Sequence, residues 1–482
     1  MEQDYSLECL NELKRSSKQI ILVIDYWDAN PHLETSLEIC IRLSMAGKNI
    51  YYHHWGNQVP LVECASSGSR VNKAVRITNE YLESTGYKPI KTVPYEVKNI
   101  EVSDKWPEFE HTEEIRNYKW QGQPAGISVV STLCDLLKTS SIDCRKANHV
   151  NLINRALTTF RISYELTLAA LNLIDPDAVV LFNGRYPSYS ASKYSAKSFG
   201  IPIFFHERGS DNQLFLFTRD MPHSVNEMNK RLAFTGKKIL SRNLDFEIAY
   251  AQTWFKQRIV NNESDKENLR LLLRDCPTSQ DSGLLIYSFF VTSNDEISSL
   301  PTDVYPEMYW SCQISAICDL ASAITIYQPN AILVIRIHPN LVNKEDSEQE
   351  RFEAIARMQN VILIRADAKN INSYALAEMS DFVFVYCSTI GIEAAQMNKK
   401  VYTMAPTYYD FLKVTTPIRS YNQLRELIES HQNSVNELML LNQSLQFRCS
   451  IYGHLQKDSG IRYKYYDPKG NNSGLFLGKN LN

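Results

Sequence analysis

Residues whose types and spacing can do chemistry gather at two places in this 482-residue chain. The first is formed by Ala331-Ile332-Leu333-Val334-Ile335-Arg336-Ile337-His338-Pro339 and by Asp381-Phe382-Val383-Phe384-Val385-Tyr386-Cys387-Ser388-Thr389-Ile390-Gly391-Ile392-Glu393. Each opens on a short apolar run rich in β-branched or aromatic residues, which reads as a buried strand. One strand delivers an imidazole, His338, to a turn set by Pro339. The other breaks into Ser388 and Thr389 and resumes as a helix through Gly391, so that backbone N–H groups and two hydroxyls converge where the oxygens of a phosphate would sit. Read as neighbouring strands of a parallel α/β sheet, the two line one crevice at their C-terminal ends, taken here as the nucleotide site. Ser388 and Thr389 are also expected to cap the helix. Glu393, in its first turn, either complements the helix dipole or touches a ribose.

The second place is residues 178–211. The strand Ala178-Val179-Val180-Leu181-Phe182 ends on Asn183-Gly184-Arg185, and Ile201-Pro202-Ile203-Phe204-Phe205 ends on His206-Glu207-Arg208-Gly209-Ser210-Asp211. Two consecutive parallel strands thus release polar side chains at the end of the sheet where ligands bind. Transfer of a group to a hydroxyl calls for a carboxylate, as general base or as covalent nucleophile. Glu207 is the first candidate and Asp211 the second, with Arg208 beside Glu207 to moderate its charge or simply to pair with it. Asn183 and Arg185 either terminate a strand or bind substrate, and the arginine fork suits a carboxylate. Asp25 and Asp28, at the first strand's end, are acceptor candidates or solvated loop residues.

These residues need a sheet to position them. Residues 19–25 form a first buried strand, an amphipathic helix follows near 33–46, Gly47 ends it, and 49–55 form a second strand, a βαβ unit. The stretch 60–145 reads as an insertion. Helical spacing over 150–174 leads into the strand at 178, and 275–283, Asp-Cys-Pro-Thr-Ser-Gln-Asp-Ser-Gly, reads as a linker. Strand and helix alternate again from 284 to 404. The expectation is an α/β protein of two doubly wound (Rossmann-like) domains facing a cleft: 1–275, 284–420, and a helical tail at 421–482 that packs back across the linker.

Composition narrows the function classes. With 44% hydrophobic and 22% charged residues the chain is globular, not disordered. A net charge of −3 gives no electrostatic footprint for nucleic acid. Ten cysteines without CxxC or Cys/His metal spacing predict buried thiols in a reducing cytosol and no metal site. No secretory signal is visible, and no apolar run reaches the roughly 20 residues a bilayer demands. Membrane contact is therefore expected only at the periphery.

The ordered set Arg336-Ile337-His338-Pro339, Asp381, Ser388-Thr389-Ile390-Gly391-Ile392-Glu393-Ala394 resembles the bacterial capsule and lipopolysaccharide glycosyltransferases of GT-B fold. It is most like the β-Kdo transferases and capsule polysaccharide synthesis proteins, and through them the bacterial sialyltransferases with their HP and SS/T motifs. The resemblance covers mainly 178–215 and 284–410. It implies a GT-B enzyme that uses a CMP-linked acidic sugar, Kdo or a relative, as substrate and no cofactor. His338 with Pro339 would contact the CMP portion, and Ser388 and Thr389 its phosphate. Phe289 through Glu296 resembles a Ser-x-Asp-Glu loop of such domains, which adds Ser293 to the donor contacts. The donor would bind the C-terminal domain and a surface polysaccharide or lipid-linked glycan the N-terminal one, whose strand ends would supply the catalytic carboxylate. A cytoplasmic location, with peripheral contact at the inner membrane, goes with that role. The chain departs from the pattern at Cys387, which stands before Ser388-Thr389, and in the acidic-acidic-glycine element, whose nearest counterpart is Glu207-Arg208-Gly209. The fold alone also admits a UDP- or GDP-sugar transferase, a nucleotide-sugar epimerase, or a non-catalytic polysaccharide-binding or scaffold module.

Overall fold

The computed structural model describes residues 4–63, 69–92, 105–137, 139, 142–211, 213–259, 263–274, 284–292, 308–342, 349–368, 371–431 and 443–466. The linker expected at 275–283 and the donor candidate Ser293 lie outside them. Among the described residues the strands are β1 (Ile20–Asp25), β2 (Asn49–His54), β3 (Lys91–Thr92), β4 (Ala178–Phe182), β5 (Ile203–Arg208), β6 (Leu214–Thr218), β7 (Ile286–Phe290), β8 (Ile332–Arg336), β9 (Val361–Ile364), β10 (Phe382–Val385), β11 (Lys400–Thr403), β12 (Thr416–Pro417) and β13 (Ile461–Arg462). They make two sheets, β13-β6-β5-β4-β1-β2-β3 and β12-β11-β10-β7-β8-β9.

The first sheet is centred on β1, whose apolar run is continuous because both of its faces are buried. Ile21 and Val23 pack against the helices His32–Ser44 and Ser69–Ser84; Leu22 and Ile24 pack toward Ala147–Ile174 and Pro187–Ser198. The chain runs outward from β1 to β2 and β3, then returns to β4 and β5, so the strand order reverses between β1 and β4. That switch point is where an open α/β sheet leaves a crevice at its C-terminal edge. Asp177 closes the opposite edge, its carboxylate accepting the backbone N–H groups of Gln19 and Ile20 at 2.8 and 2.9 Å.

Three expectations change here. The stretch 60–145 is not one insertion: the helix Ser69–Ser84 and β3 extend the sheet, β3 pairing parallel with β2. The helices Thr112–Asn117 and Ala125–Leu137 stand apart from it, sharing a small core of Ile115, Val129, Leu133 and Phe160 with the long helix Ala147–Ile174. Second, β5 does not stop at Phe205. It continues through Arg208 because β6 folds back antiparallel beside it, Glu207 opposite Leu216 and Arg208 opposite Phe215. Third, the described residues divide into one compact unit up to Arg231 and again from Lys457, and a second from Leu232 to Gln456. The sequence boundary near 275 thus moves into the helix Val225–Leu240, since the helix Glu263–Arg274 buries Leu269 and Leu273 within the second unit and Lys266 pairs with Glu378 at 3.0 Å. The tail is not purely helical either. Its β13 adds an antiparallel edge to β6, and Tyr463, Tyr465 and Tyr466 enter the first unit's core.

In the second unit β7 is central, with β8 and β9 on one side and β10, β11 and β12 on the other, all parallel. The order reverses between β7 and β10. Asp381 accepts the Ile286 N–H at 2.8 Å, which places it at the N-terminal edge of the sheet, away from the ligand-binding edge. The core histidine here is His431. Its ring stacks on Phe382 at 3.6 Å and 3°, with the Tyr287 and Tyr402 hydroxyls at 3.0 and 3.1 Å from its two nitrogens. Burial, aided by the charge of Lys400, pushes its pKa down to about 4. The unfolded chain takes up this proton near 6.5, the folded one only near 4, so the stability His431 contributes is intact above the first value and lost as pH falls toward the second. The thermal transition of His431→Gln should accordingly lose less between pH 7 and pH 4 than that of the parent. Parallel melting profiles would contradict the assignment. No helix among the described residues is long and apolar enough to cross a membrane.

Candidate functional site

At the end of β4 the chain turns sharply. Asn183 and Gly184 both take positive φ, 51° and 85°, a conformation Asn and Gly tolerate best. A Cβ on Gly184 would stand 2.7 Å from the Phe205 ring, so glycine is required twice over. The turn aims the Asn183 amide at β5. Its Nδ2 donates to Glu207 Oε2 at 2.6 Å, and its Oδ1 accepts the Arg185 N–H at 3.3 Å. The same Glu207 oxygen lies 3.2 Å from His223 Nε2, which is 3.1 Å from Asn183 Nδ2. Glu207 Oε1 accepts the backbone N–H of Arg208 at 2.9 Å.

The Glu207 side chain is 14% exposed and that of His223 37%. Burial pushes the Glu207 carboxyl up, but the hydrogen bond and charge of His223, the charge of His32 and the Arg208 N–H together outweigh it and hold the pKa down at about 2. An acid this strong is ionised at neutral pH and is a weak proton acceptor, which argues against the general-base role expected for Glu207. Arg208 does not pair with it through the guanidinium as expected; that side chain is exposed and only the backbone N–H is engaged. Arg185 is positioned instead. Its guanidinium lies 4.7 Å from the Tyr186 ring centroid and donates to the Tyr186 hydroxyl at 2.6 Å, and Glu207 and Asp135 act on its charge. An aromatic wall stands nearby: His32 is 4.2 Å from Phe182 and 5.1 Å from Trp27 between ring centroids, and burial lowers its pKa.

Asp25 is not a ligand residue. It is fully buried, and its carboxylate accepts the Tyr189 hydroxyl at 2.6 Å, the Ser36 hydroxyl at 2.7 Å and the Tyr26 N–H at 3.0 Å. Burial outweighs these donors and raises its pKa to about 6. Ser36 Oγ in turn lies 3.1 Å from His206 Nε2, so the chain Asp25–Ser36–His206 ties the helix His32–Ser44 to β1 and β5 directly behind Glu207. Asp28 is also buried. Asp211 caps the β5–β6 turn, accepting the Gln213 N–H at 2.6 Å, which gives that exposed residue a structural task.

In the second unit His338 and Ser388 sit at strand C-terminal ends as expected, but β7 lies between β8 and β10, so they are not on neighbouring strands. Two strand spacings put their loops about 10 Å apart. The β7 loop between them begins at Thr292, which Gln313 clamps through both backbone groups at 3.0 and 2.9 Å and which faces Cys387. His338 is half-buried and Pro339 exposed, so the imidazole is not part of the sheet's core. Thr389 holds the N-cap position with helical dihedrals and makes no side-chain cap bond, so the expected capping role fails and its exposed hydroxyl is not spent on the helix. The Ser388 carbonyl accepts the Tyr409 hydroxyl at 2.6 Å. Gly391 makes room for that hydroxyl, since a Cβ there would come within 2.2 Å of it. Glu393 is buried, with Arg258 on one oxygen at 2.5 Å and Tyr374 on the other at 3.0 Å, which takes it out of reach of a ribose.

His223 and His32 escaped sequence reasoning. The apolar run Leu214-Phe215-Leu216-Phe217 was the available signal, because a strand there returns the chain and leaves Met221-Pro222-His223 at the end of the sheet that carries Asn183. For a metal, the described Glu and His atoms close enough to share an ion belong to Glu110, His111 and Glu114, all exposed and remote from these residues in the chain.

No protein-family model matches the chain, and no curated protein does. Solved structures similar to it include the β-Kdo 2,7 transferase KpsC of Thermosulfurimonas dismutans, at 12% identity over 58% of this chain and 78% of that one, TM-score 0.32. Another is the UDP-GlcNAc 2-epimerase of Neisseria meningitidis bound to UDP-GlcNAc, at 11% identity over 91% and 97% of the two chains, TM-score 0.30. A glycosyltransferase from Rickettsia africae matches at 11% identity over 92% and 100%, TM-score 0.25.

Proposed function

We propose that this chain is a glycosyltransferase that moves an acidic sugar, Kdo or a related 2-keto acid, from a CMP donor to a surface polysaccharide or lipid-linked glycan, in the cytoplasm or at the cytoplasmic face of the inner membrane. The observation that carries the reading is an ionised carboxylate, Glu207, fixed by Asn183 and His223 at the ligand-binding edge of a doubly wound sheet, with the guanidinium of Arg185 electrostatically coupled to it. A charged acid–imidazole pair serves transfer to a hydroxyl, and an arginine fork serves a sugar carboxylate. In this reading the unit from Leu232 to Gln456 takes the donor. Ser388 and Thr389 meet its phosphate and His338 the nucleoside side of it, while Asn183, Arg185 and Arg208 face sugar or acceptor. The sequence motifs around His338 and Ser388 support CMP as the nucleotide.

Titration of CMP, UDP and GDP against the thermal transition tests the donor half. CMP should stabilise the protein, by about 2.7 kcal/mol at a hundredfold excess over Kd, and Thr389→Val should weaken CMP binding by about 1–3 kcal/mol. Protection by UDP or GDP with none by CMP would refute CMP as donor. Interconversion of a UDP-sugar without any acceptor would replace the transferase by a nucleotide-sugar epimerase.

A further inference from the structure

The geometry points to Tyr409 as a positioning residue for the donor phosphate: we propose that its hydroxyl, bonded to the Ser388 carbonyl, sets the plane of the Ser388–Thr389 peptide and so aims Thr389 at that phosphate. The inference rests on the reading above in which Ser388 and Thr389 meet the phosphate, and it names what holds them in place.

The contact is prepared from two strand ends. Ser388 and Thr389 follow β10, and Tyr409 comes from the loop after β11, the strand beside it. The Tyr409 hydroxyl donates to the Ser388 carbonyl at 2.6 Å, and the Gly391 N–H reaches the same oxygen at 3.1 Å. A carbonyl oxygen has two lone pairs, and both are engaged here. A trans peptide is planar, with its C=O and N–H on opposite sides. Holding the Ser388 carbonyl toward Tyr409 therefore turns the Thr389 N–H away from it and fixes the backbone from which the Thr389 side chain springs. Thr389 is exposed, and its hydroxyl makes no cap bond. Position 391 admits the arrangement only as glycine, because a Cβ there would stand 2.2 Å from the Tyr409 hydroxyl.

Tyr409 is itself held fast. It is 1% exposed and meets Tyr452 edge-on, with 6.1 Å between ring centroids. Asp410, next in the chain, accepts the Thr407 hydroxyl at 2.6 Å and the Thr407 N–H at 3.1 Å. Arg419 donates to the same carboxylate at 2.8 Å and to the carbonyl of Thr403, the last residue of β11. The loop is thus tied to its own strand, and the ring cannot follow a moving turn. Burial raises the Tyr409 pKa well above the ordinary phenol value, so the hydroxyl keeps the hydrogen it donates.

The experiment measures the Kd of CMP for the full chain and its variants by calorimetric titration, with the melting transition recorded beside each. Tyr409→Phe should raise that Kd about three- to tenfold in a folded protein. Gly391→Ala should act in the same direction, since the added methyl displaces the hydroxyl and leaves the ring. Tyr402→Phe removes a hydroxyl that faces His431 in the core of the same unit and should leave CMP affinity unchanged, which separates lost aim from lost stability. Because Tyr409 acts through Thr389, the double variant Thr389→Val with Tyr409→Phe should lose less affinity than the sum of the two single losses. An unchanged Kd in Tyr409→Phe or in Gly391→Ala, or losses that simply add in the double variant, would overturn the assignment while leaving the donor site standing. A parent chain that binds none of CMP, UDP and GDP would remove the reading beneath it.

Discussion

Glu207→Gln should cut sugar transfer by about 10²–10⁴-fold while CMP binding and the fold persist. Glutamine keeps the length of the side chain and can still accept from Asn183, but it removes the negative charge that a reacting carboxylate requires. CMP binding should be spared because the proposed phosphate contacts, Ser388 and Thr389, follow β10 in the other unit. A second consequence has a defined sign. The carboxyl pKa is held below its unfolded value, so the stability Glu207 contributes is present above roughly pH 4.3 and is lost as pH falls toward about 2. The variant should lack that acid-range loss. Near-parent turnover in Glu207→Gln would discard the role, and a comparable loss in Asp211→Asn alone would transfer it to Asp211, which the structure otherwise commits to a turn.

The largest effect on stability is expected at Asp25. Asp25→Ala takes the acceptor from the Tyr189 hydroxyl in a fully buried place, and strips Ser36 Oγ and the Tyr26 N–H of one of the two partners each has there, His206 and the Tyr189 oxygen being the others. An unsatisfied buried donor costs about 1–3 kcal/mol, and such networks lose more than one bond at a time, so a loss of at least about 3 kcal/mol is expected in urea unfolding. Asp25→Asn keeps one acceptor oxygen and should lose less. A change below about 1 kcal/mol for Asp25→Ala would show that Tyr189 and Ser36 find other partners and that the network does not anchor the segment behind Glu207.

How far the molecule can be read from its sequence depends on the range of the interactions concerned. Continuous apolar runs such as Ile20–Ile24 and Ile332–Ile335 announce strands buried on both faces, and the residues that end them announce the ligand edge; the place of Glu207 and Ser388 at that edge was legible in this way. Strand order is not local. Nothing in the stretches around His338 and Ser388 says that β7 intervenes, because that strand comes earlier in the chain. His223 was hidden for a similar reason: it meets Glu207 only after the β5–β6 hairpin has reversed the chain. Residue type alone also leaves solvation open. Asp25 and Glu207 both come near the ends of strands that begin as apolar runs, yet burial raises the pKa of one and an imidazole lowers that of the other. Gly391 looked like part of a phosphate turn, whereas its lack of a side chain serves the Tyr409 hydroxyl, eighteen positions further along.

The most direct test of the central claim is to incubate the purified chain with CMP-Kdo and a capsule or lipopolysaccharide primer, following CMP release and primer mass together. CMP should be released in step with addition of one Kdo mass to the primer, and Glu207→Gln should lose most of both. Release without primer extension, or extension from a UDP- or GDP-sugar with CMP-Kdo left intact, would contradict it.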